Sequence, residues 1–161
     1  RDWQMGTMQL DFQLPQRFEL HYTDKDGSRK MPIVIHRVIY GSLERFIGIL
    51  TEHCAGKFPL WLSPVQVKVL PIGEGHIEYA KSVLDKLKSE NIRAELDDSN
   101  ESLGKKIRNA KTEKVPYMLV IGDKEVSENK VTLESRKDEK WGQVGIEELI
   151  SKLRQEIKER K

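Results

Sequence analysis

The feature that most constrains the fold is an alternation of strand and helix patterns after residue 64. Apolar strand patterns cover 65–72, 92–96 and 116–122, and helical stripes of apolar residues separate them. A β-α-β-α-β order favours a mostly parallel sheet with right-handed crossovers and helices on its faces. A hairpin through Asn129 and residues 130–135 adds an antiparallel edge, and a last helix follows. We therefore predict an α/β domain with a mixed, mostly parallel sheet flanked by helices.

The first part of the chain follows a different pattern. Strand candidates lie at 8–14, which Pro15 ends, at 18–22 and at 31–39. Residues 42–53 carry apolar side chains at helical spacing. This order predicts an antiparallel sheet followed by a helix. The segment 56–64 contains Gly56, Pro59 and Pro64, which exclude a continuous helix. We predict two domains, 1–62 and 63–161.

Charge and cysteine content narrow the class of protein. Charged residues make up 34% of the chain but the net charge is only +2, so any contact with nucleic acid must depend on local clusters of charge. The single cysteine, Cys54, excludes an intrachain disulfide and a cysteine-based zinc cluster, which is typical of a reducing cytoplasm. The sequence contains no signal-peptide pattern and no apolar run approaching 18 residues. We expect a soluble cytoplasmic protein without a membrane partner, and a chain that starts inside a domain because it lacks an initiator Met.

The block 32–46 places several binding groups close together in sequence. His36 follows an apolar strand pattern, Gly41-Ser42 forms a turn, and Arg45 lies near the start of the next helix. Taken alone, Arg45 is a phosphate-binding cation or half of a surface pair with Glu44, and His36 is a ligand or a satisfied structural residue. The residues themselves leave both alternatives open.

Longer motifs carry a resemblance to a known family. They are Trp3-Gln4-x-Gly6-Thr7-x-Gln9-Leu10-Asp11-Phe12, the block from His36 to Arg45, Lys57-Phe58-Pro59-x-Trp61-Leu62-Ser63-Pro64-x-Gln66-Val67, Gly104-x-Lys106-Ile107-Arg108, and Val115-Pro116-Tyr117-Met118-Leu119-Val120-x-Gly122-Asp123-Lys124-Glu125-Val126. Together they resemble bacterial threonyl-tRNA synthetases, which are class II aminoacyl-tRNA synthetases. The resemblance implies that 1–62 is the C-terminal part of the catalytic core and 63–161 the anticodon-binding domain.

The resemblance also implies roles for residues of the first part. Arg45 matches the motif 3 arginine that contacts ATP phosphate, where a guanidinium stabilises the transition state of adenylation. Gln4, Thr7, Gln9 and Ser42 match members of the ATP and threonine pocket, although in a fragment they equally form a polar strand face open to water. The parent enzyme would use ATP with magnesium and L-threonine, and it would be a homodimer. Asp11 is interpreted as structural.

His36 matches one of three zinc ligands in the family. Because a catalytic zinc needs three protein ligands and an open position, and because His21, His53 and His76 do not match the other two, the chain carries an incomplete zinc site. We expect it not to hold zinc tightly.

The second part is expected to bind tRNA. A helix over 101–114 directs Leu103, Ile107 and Ala110 inward and leaves five cations exposed, which are Lys105, Lys106, Arg108, Lys111 and Lys114. Asn100, at the predicted helix N-cap, and Arg108 match residues that contact anticodon bases in the family. Glu125, after the predicted loop 122–124, matches an acid whose carboxylate accepts from guanine N1 and N2, the middle base of a threonine anticodon.

One position departs from the family pattern. The family usually has Val-Arg-x-Arg on the strand after that loop, whereas this chain has Leu133-Glu134-Ser135-Arg136. Either Arg136, Lys130 or Lys124 compensates for the missing cation, or anticodon discrimination is weaker.

The sequence is therefore compatible with three functions. The first is the C-terminal region of a threonine–tRNA ligase that binds the anticodon arm but does not catalyse alone. The second is a free-standing RNA- or protein-binding module derived from a synthetase, without ligase activity. The third is a soluble α/β domain whose similarity no longer reflects function.

Overall fold

The computed structural model describes residues 2–136 and 140–160 and divides the chain into two units, Arg1–His53 and Cys54–Lys161. Among these described residues, no helix is long and apolar enough to cross a bilayer. The boundary after residue 62 stays a prediction.

The first unit consists of two small antiparallel ribbons and two helices. Its elements are β1 (Thr7–Asp11), α1 (Gln13–Arg17), β2 (Tyr22–Thr23), β3 (Arg29–Lys30), β4 (Val34–Val38) and α2 (Leu43–Cys54). β1 pairs with β4, and β2 pairs with β3. Pro15 is the one buried residue between 2 and 53, and Met8 and Ile35 are 73% and 60% exposed. A two-stranded ribbon is too narrow to cover an apolar face, so this unit does not close a core of its own.

The first strand is shorter than its alternating pattern predicts. Residues 8–14 were expected to be extended, but β1 ends at Asp11. Asp11 Oδ1 accepts the backbone N–H groups of Gln13 and Leu14 at 2.8 and 3.0 Å, and α1 starts there. Pro15 lies within the first turn of α1, where a missing N–H costs nothing. The side chain of one aspartate therefore overrides the period-two pattern.

The second unit is a five-stranded mixed sheet with helices on both faces. Its elements are β5 (Val67–Pro71), α3 (Ile77–Ser89), β6 (Ala94–Leu96), α4 (Leu103–Thr112), β7 (Tyr117–Ile121), α5 (Asp123–Glu128), β8 (Lys130–Ser135), β9 (Lys140–Gly145) and α6 (Ile146–Lys158). The strand order is β6-β5-β7-β8-β9, with β6, β5 and β7 parallel and the others antiparallel. The predicted fold class is confirmed.

The two faces of the sheet follow from the alternation of side chains along β5. Val67 and Val69 are fully buried against α3 and α6, in a core that includes Leu119 of β7. Leu70 is buried on the opposite face, where Met118 and α4 cover it. The two crossover helices therefore lie on opposite sides of the sheet, which brings the loops after β5 and β7 together at its carboxyl edge.

The predicted loop 122–124 is wrong, and the connection through Asn129 to residues 130–135 contains a helix that the sequence did not indicate. Helix α5 begins at Asp123, directly after Gly122, and Asn129 ends it in a left-handed conformation with φ of 56°. Residues 130–135 form the antiparallel strand β8, which pairs with β7 on one side and with β9 on the other, and residues 137–139 lie outside the described residues.

The segment 56–64, called the connecting segment below, lies at the start of the second unit and is held there by polar contacts. The Arg93 guanidinium donates to the carbonyls of Trp61 and Ser63 at 2.8 and 3.0 Å. The Arg136 guanidinium donates to the carbonyls of Phe58 and Lys114 at 2.6 and 3.0 Å. These bonds fix an irregular stretch that no helix or strand supports.

Gln66 completes this attachment from inside the core. Its buried side chain donates from Nε2 to the Leu60 carbonyl at 2.8 Å and accepts the Arg93 backbone N–H at Oε1, at 2.9 Å. We predict that Gln66→Leu lowers the free energy of unfolding by about 2–4 kcal/mol, because it leaves a donor and an acceptor unpaired. Urea denaturation followed by circular dichroism measures this. The exposed Gln155→Leu is the matched control and should change it by less than about 0.5 kcal/mol; equal effects of the two variants would contradict the prediction.

Candidate nucleic-acid interface

Helix α4 presents one apolar and one basic face. Leu103, Ile107 and Ala110 pack towards Leu70 and Met118 of the sheet. Lys106 lies on the same face, because positions 103, 106, 107 and 110 follow the i, i+3, i+4, i+7 spacing.

The sequence predicts Lys106 to be an exposed cation, and this prediction is wrong. Lys106 is 4% exposed, and its Nζ donates to the carbonyls of Pro71 and Asp97, both at 3.1 Å. The ammonium group ties the ends of β5 and β6 together.

The other predicted cations of this region are exposed, and they are Lys105, Arg108, Lys111 and Lys114. Lys105 forms an i,i+4 pair with Glu101 at 2.6 Å. Arg108 makes no ion pair within the part of the chain that the structure describes. Arg108 is thus a cation available to an anionic ligand, on a helix whose opposite face is fixed by the core.

Asn100 lies in the loop between β6 and α4, not at the helix N-cap. Ser102 occupies the N-cap with extended backbone angles, and Asn100 is exposed. Asp97 stabilises the loop by accepting the Ser99 hydroxyl at 2.5 Å. Asn100 lines a cavity of about 510 Å³ together with Ile72 and Gly73 of the loop after β5.

Glu125 lies in the first turn of α5 and is held by three hydrogen bonds. Its Oε2 accepts the Gly122 N–H at 2.9 Å, and its Oε1 accepts from Thr132 Oγ1 at 2.7 Å and from Gln143 Nε2 at 3.0 Å. Burial raises the pKa of this carboxyl, but the hydrogen bonds from Gln143, Thr132 and Gly122 outweigh burial and hold the pKa at about 2. The ionised carboxylate joins the end of β7 to the middle of β8 and of β9.

Glu134 and the cations near it in sequence do not act alike. Glu134 is half-buried on β8, opposite Met118. Arg136 is committed to backbone carbonyls and Lys130 forms a pair with Glu128 at 2.9 Å, whereas Lys124 is exposed. Of the three cations that could substitute for the family's arginine, Lys124 is the one whose side chain makes no such contact with the residues that the structure describes.

The predicted pocket residues of the first unit come together only in pairs. Gln4 Nε2 donates to Thr7 Oγ1 at 3.3 Å, and Gln9 lies opposite His36 in the β1–β4 register. Ser42 Oγ accepts the Arg45 backbone N–H at 3.2 Å, at the start of α2. The Arg45 guanidinium lies 5.8 Å from the centre of the Trp3 ring, a cation–π contact that the sequence reasoning missed.

Among the residues that the structure describes, His36 lies near one carboxylate and not in a cluster of metal ligands. Its Nε2 lies 3.0 Å from Asp11 Oδ2. Within 2–136 and 140–160, no group of three or more His, Cys, Asp or Glu side chains could hold a metal ion. The described residues therefore do not supply the three protein ligands that a catalytic zinc requires.

The hydrogen bonds of Glu125 predict a pH dependence of stability. Its folded pKa of about 2 lies below the ordinary 4.5, so its contribution is fully present above about pH 4.5 and is lost as the pH falls towards 2. We expect Glu125→Gln to lower the free energy of unfolding by about 1–3 kcal/mol at neutral pH. We also expect a smaller further loss between pH 5 and pH 3 than the unsubstituted chain shows. Urea denaturation at the two pH values tests this, with the exposed Glu95→Gln as control; parallel losses in all three proteins would contradict it.

Family models match both units. The model of the anticodon binding domain matches residues 66–156, more than half of the chain. The model of the tRNA synthetase class II core domain (G, H, P, S and T) matches residues 1–54.

Curated relatives match nearly all of the chain. The threonine–tRNA ligase of Caldanaerobacter subterraneus subsp. tengcongensis is 59% identical over 157 residues, which are 98% of this chain and 24% of the relative. The threonine–tRNA ligase of Clostridium tetani is 54% identical over 160 residues, 99% of this chain and 25% of the relative. The chain thus spans about a quarter of the length of these relatives.

Solved structures show the same fold. The RNA binding domain of threonyl-tRNA synthetase from Cryptosporidium parvum Iowa II aligns with a TM-score of 0.80 and 43% identity, over 96% of this chain and 40% of that one. A prolyl-tRNA synthetase from Cryptosporidium parvum aligns with a TM-score of 0.74 and 23% identity, over 97% of this chain and 34% of that one, which shows the fold alone. The chain belongs to the anticodon-binding domain family, and over nearly its whole length it is a homologue of bacterial threonine–tRNA ligases.

Proposed function

We propose that the second unit binds the anticodon arm of threonine tRNA, as part of a threonine–tRNA ligase. The observation that carries this proposal is the set of exposed cations on α4, a helix that borders the cavity at the carboxyl edge of the sheet. Both lie within the range that matches the anticodon binding domain. Exposed cations attract the phosphate backbone, and side chains at a fixed edge read unstacked bases.

Each of the predicted contacts has a chemical role in this proposal. Arg108 donates to phosphate or base acceptors, and Asn100 offers both a donor and an acceptor to a base entering the cavity. Glu125 accepts from guanine N1 and N2 with the acceptor capacity that its three internal bonds leave. Because that carboxylate is fixed and ionised, it is prepared for a base that donates, and it repels a base that presents acceptors.

The catalytic activity proposed for the whole ligase lies in the part represented by the first unit. That enzyme would join L-threonine to tRNA through an adenylate, with ATP and magnesium, as a cytoplasmic homodimer. Arg45 would hold an ATP phosphate, and Gln4, Thr7, Gln9 and Ser42 would contact ATP or threonine. His36 would be one ligand of a zinc ion whose other ligands this chain does not supply. We expect the 161-residue chain to bind RNA but not to catalyse alone.

Arg108→Ala tests the proposal directly. We expect it to weaken binding of a threonine anticodon stem-loop by about 5- to 100-fold, because the contact between the Arg108 guanidinium and the RNA is lost. Fluorescence anisotropy at moderate salt measures the Kd, with a stem-loop of changed middle base for comparison. Arg154→Ala is the matched control, since Arg154 lies on α6, on the opposite face of the sheet, and it should leave the Kd unchanged. Equal binding by the Arg108 variant and the original chain would refute the assignment.

Glu134→Arg tests the departure from the family pattern. Replacing a half-buried anion by a cation at this surface should tighten stem-loop binding by about 10-fold and steepen its salt dependence. Asp85→Arg, on the exposed side of α3, makes the same charge change away from the interface. If both variants tighten binding equally, the effect is one of net charge and Glu134 does not lie at the interface.

A further inference from the structure

The loops after β5 and β7 lie side by side at the carboxyl edge of the sheet. The Ile72 N–H donates to the Ile121 carbonyl at 2.9 Å, just beyond the paired strands. A Cβ on Gly122 would come within 2.7 Å of the Ile72 Cδ1, so a larger residue at this position would displace the Ile72 side chain. Past this point, one loop enters a short 3₁₀ turn over Glu74–His76 and the other enters α5.

A side-chain contact joins the two loops beyond that point. His76 Nε2 lies 2.9 Å from Asp123 Oδ1, and the Gly73 backbone N–H donates to His76 Nδ1 at 3.1 Å. Because Nδ1 accepts, it carries no proton, so the proton of the neutral ring is on Nε2 and is donated to Asp123. The imidazole is 14% exposed and is held at both nitrogens, while Asp123 is fully exposed.

Each loop carries groups of the candidate interface. Gly73 lines the cavity that Asn100 faces, and the Gly122 N–H holds the Glu125 carboxylate. Resting on the proposed function, we propose that His76 and Asp123 are a positioning pair that holds these two loops at the spacing RNA binding requires. Neither side chain needs to touch the RNA for this role.

Asp123→Ala distinguishes positioning from charge by the sign of its effect. Removing an exposed anion near an RNA site should tighten binding if only charge matters. Loss of the brace should instead weaken binding of the anticodon stem-loop by about 5- to 20-fold, a size typical of coupled contacts. Asp85→Ala, which removes an exposed anion from α3, should bind as the original chain does or slightly more tightly. Unchanged or tighter binding by Asp123→Ala would overturn the proposal.

Conservative variants separate the two bonds of the imidazole. In His76→Asn the amide oxygen replaces Nδ1 but cannot reach Asp123, and in His76→Gln the amide nitrogen replaces the Nε2 donor. Asp123→Asn keeps an acceptor without the charge and should restore the affinity that Asp123→Ala loses. Combining His76→Ala with Asp123→Ala should weaken binding no more than His76→Ala alone, because loss of the imidazole already removes its contact with Asp123. Additive losses would show that the two residues act separately and would overturn the pairing.

Amide hydrogen exchange without RNA gives a second readout. Asp123→Ala should accelerate exchange at residues 73–76 and 122–124 by about 10-fold or more, while exchange in the buried strand β7 stays unchanged. Unchanged exchange in these loops would overturn the brace. If the unsubstituted chain binds no stem-loop, the proposed function fails; if it binds and Asp123→Ala binds equally, the positioning pair fails alone.

Discussion

The pairing of β5 with β7 is the contact on which the second unit depends. β5 lies between β6 and β7, and Val67 and Val69 of β5 and Leu119 of β7 are completely buried. Since α3 and α4 leave to opposite faces, the loops after β5 and β7 have no helix between them. The core thus brings these two loops together at the carboxyl edge of the sheet. Exposed side chains there can contact a ligand, while the backbone that carries them is fixed.

Sequence reasoning was reliable where apolar periodicity decides the structure. The parallel strands, the two crossover helices and the final helix were all predicted, because each buries a regular stripe. It failed where a single polar side chain decides. Asp11 ends a strand that its pattern would continue, and Lys106 is buried on an apolar face because two backbone carbonyls accept hydrogen bonds from its ammonium group. Such carbonyl partners have no signature in the sequence.

The site was predictable in its residue types but not in its connections. Arg108 and Glu125 could be named by resemblance, and the carboxylate's role towards RNA stays a prediction. The three hydrogen bonds on Glu125 come from residues as distant in sequence as Gln143, so no local pattern announces them. The first unit could be assigned to strands and a helix, but its candidate residues Gln9 and His36 lie on a ribbon whose apolar side chains are exposed.

The two arginines that hold the connecting segment have a consequence for how such a domain can be moved between proteins. Arg93 and Arg136 belong to the sheet domain, but the carbonyls they bind include those of Phe58, Trp61 and Ser63. A graft that begins after these residues would leave the Arg93 guanidinium without its two carbonyl acceptors and the Arg136 guanidinium with only that of Lys114 among the described residues. A transferred domain should therefore begin on the amino-terminal side of this segment, so that both arginines keep their acceptors.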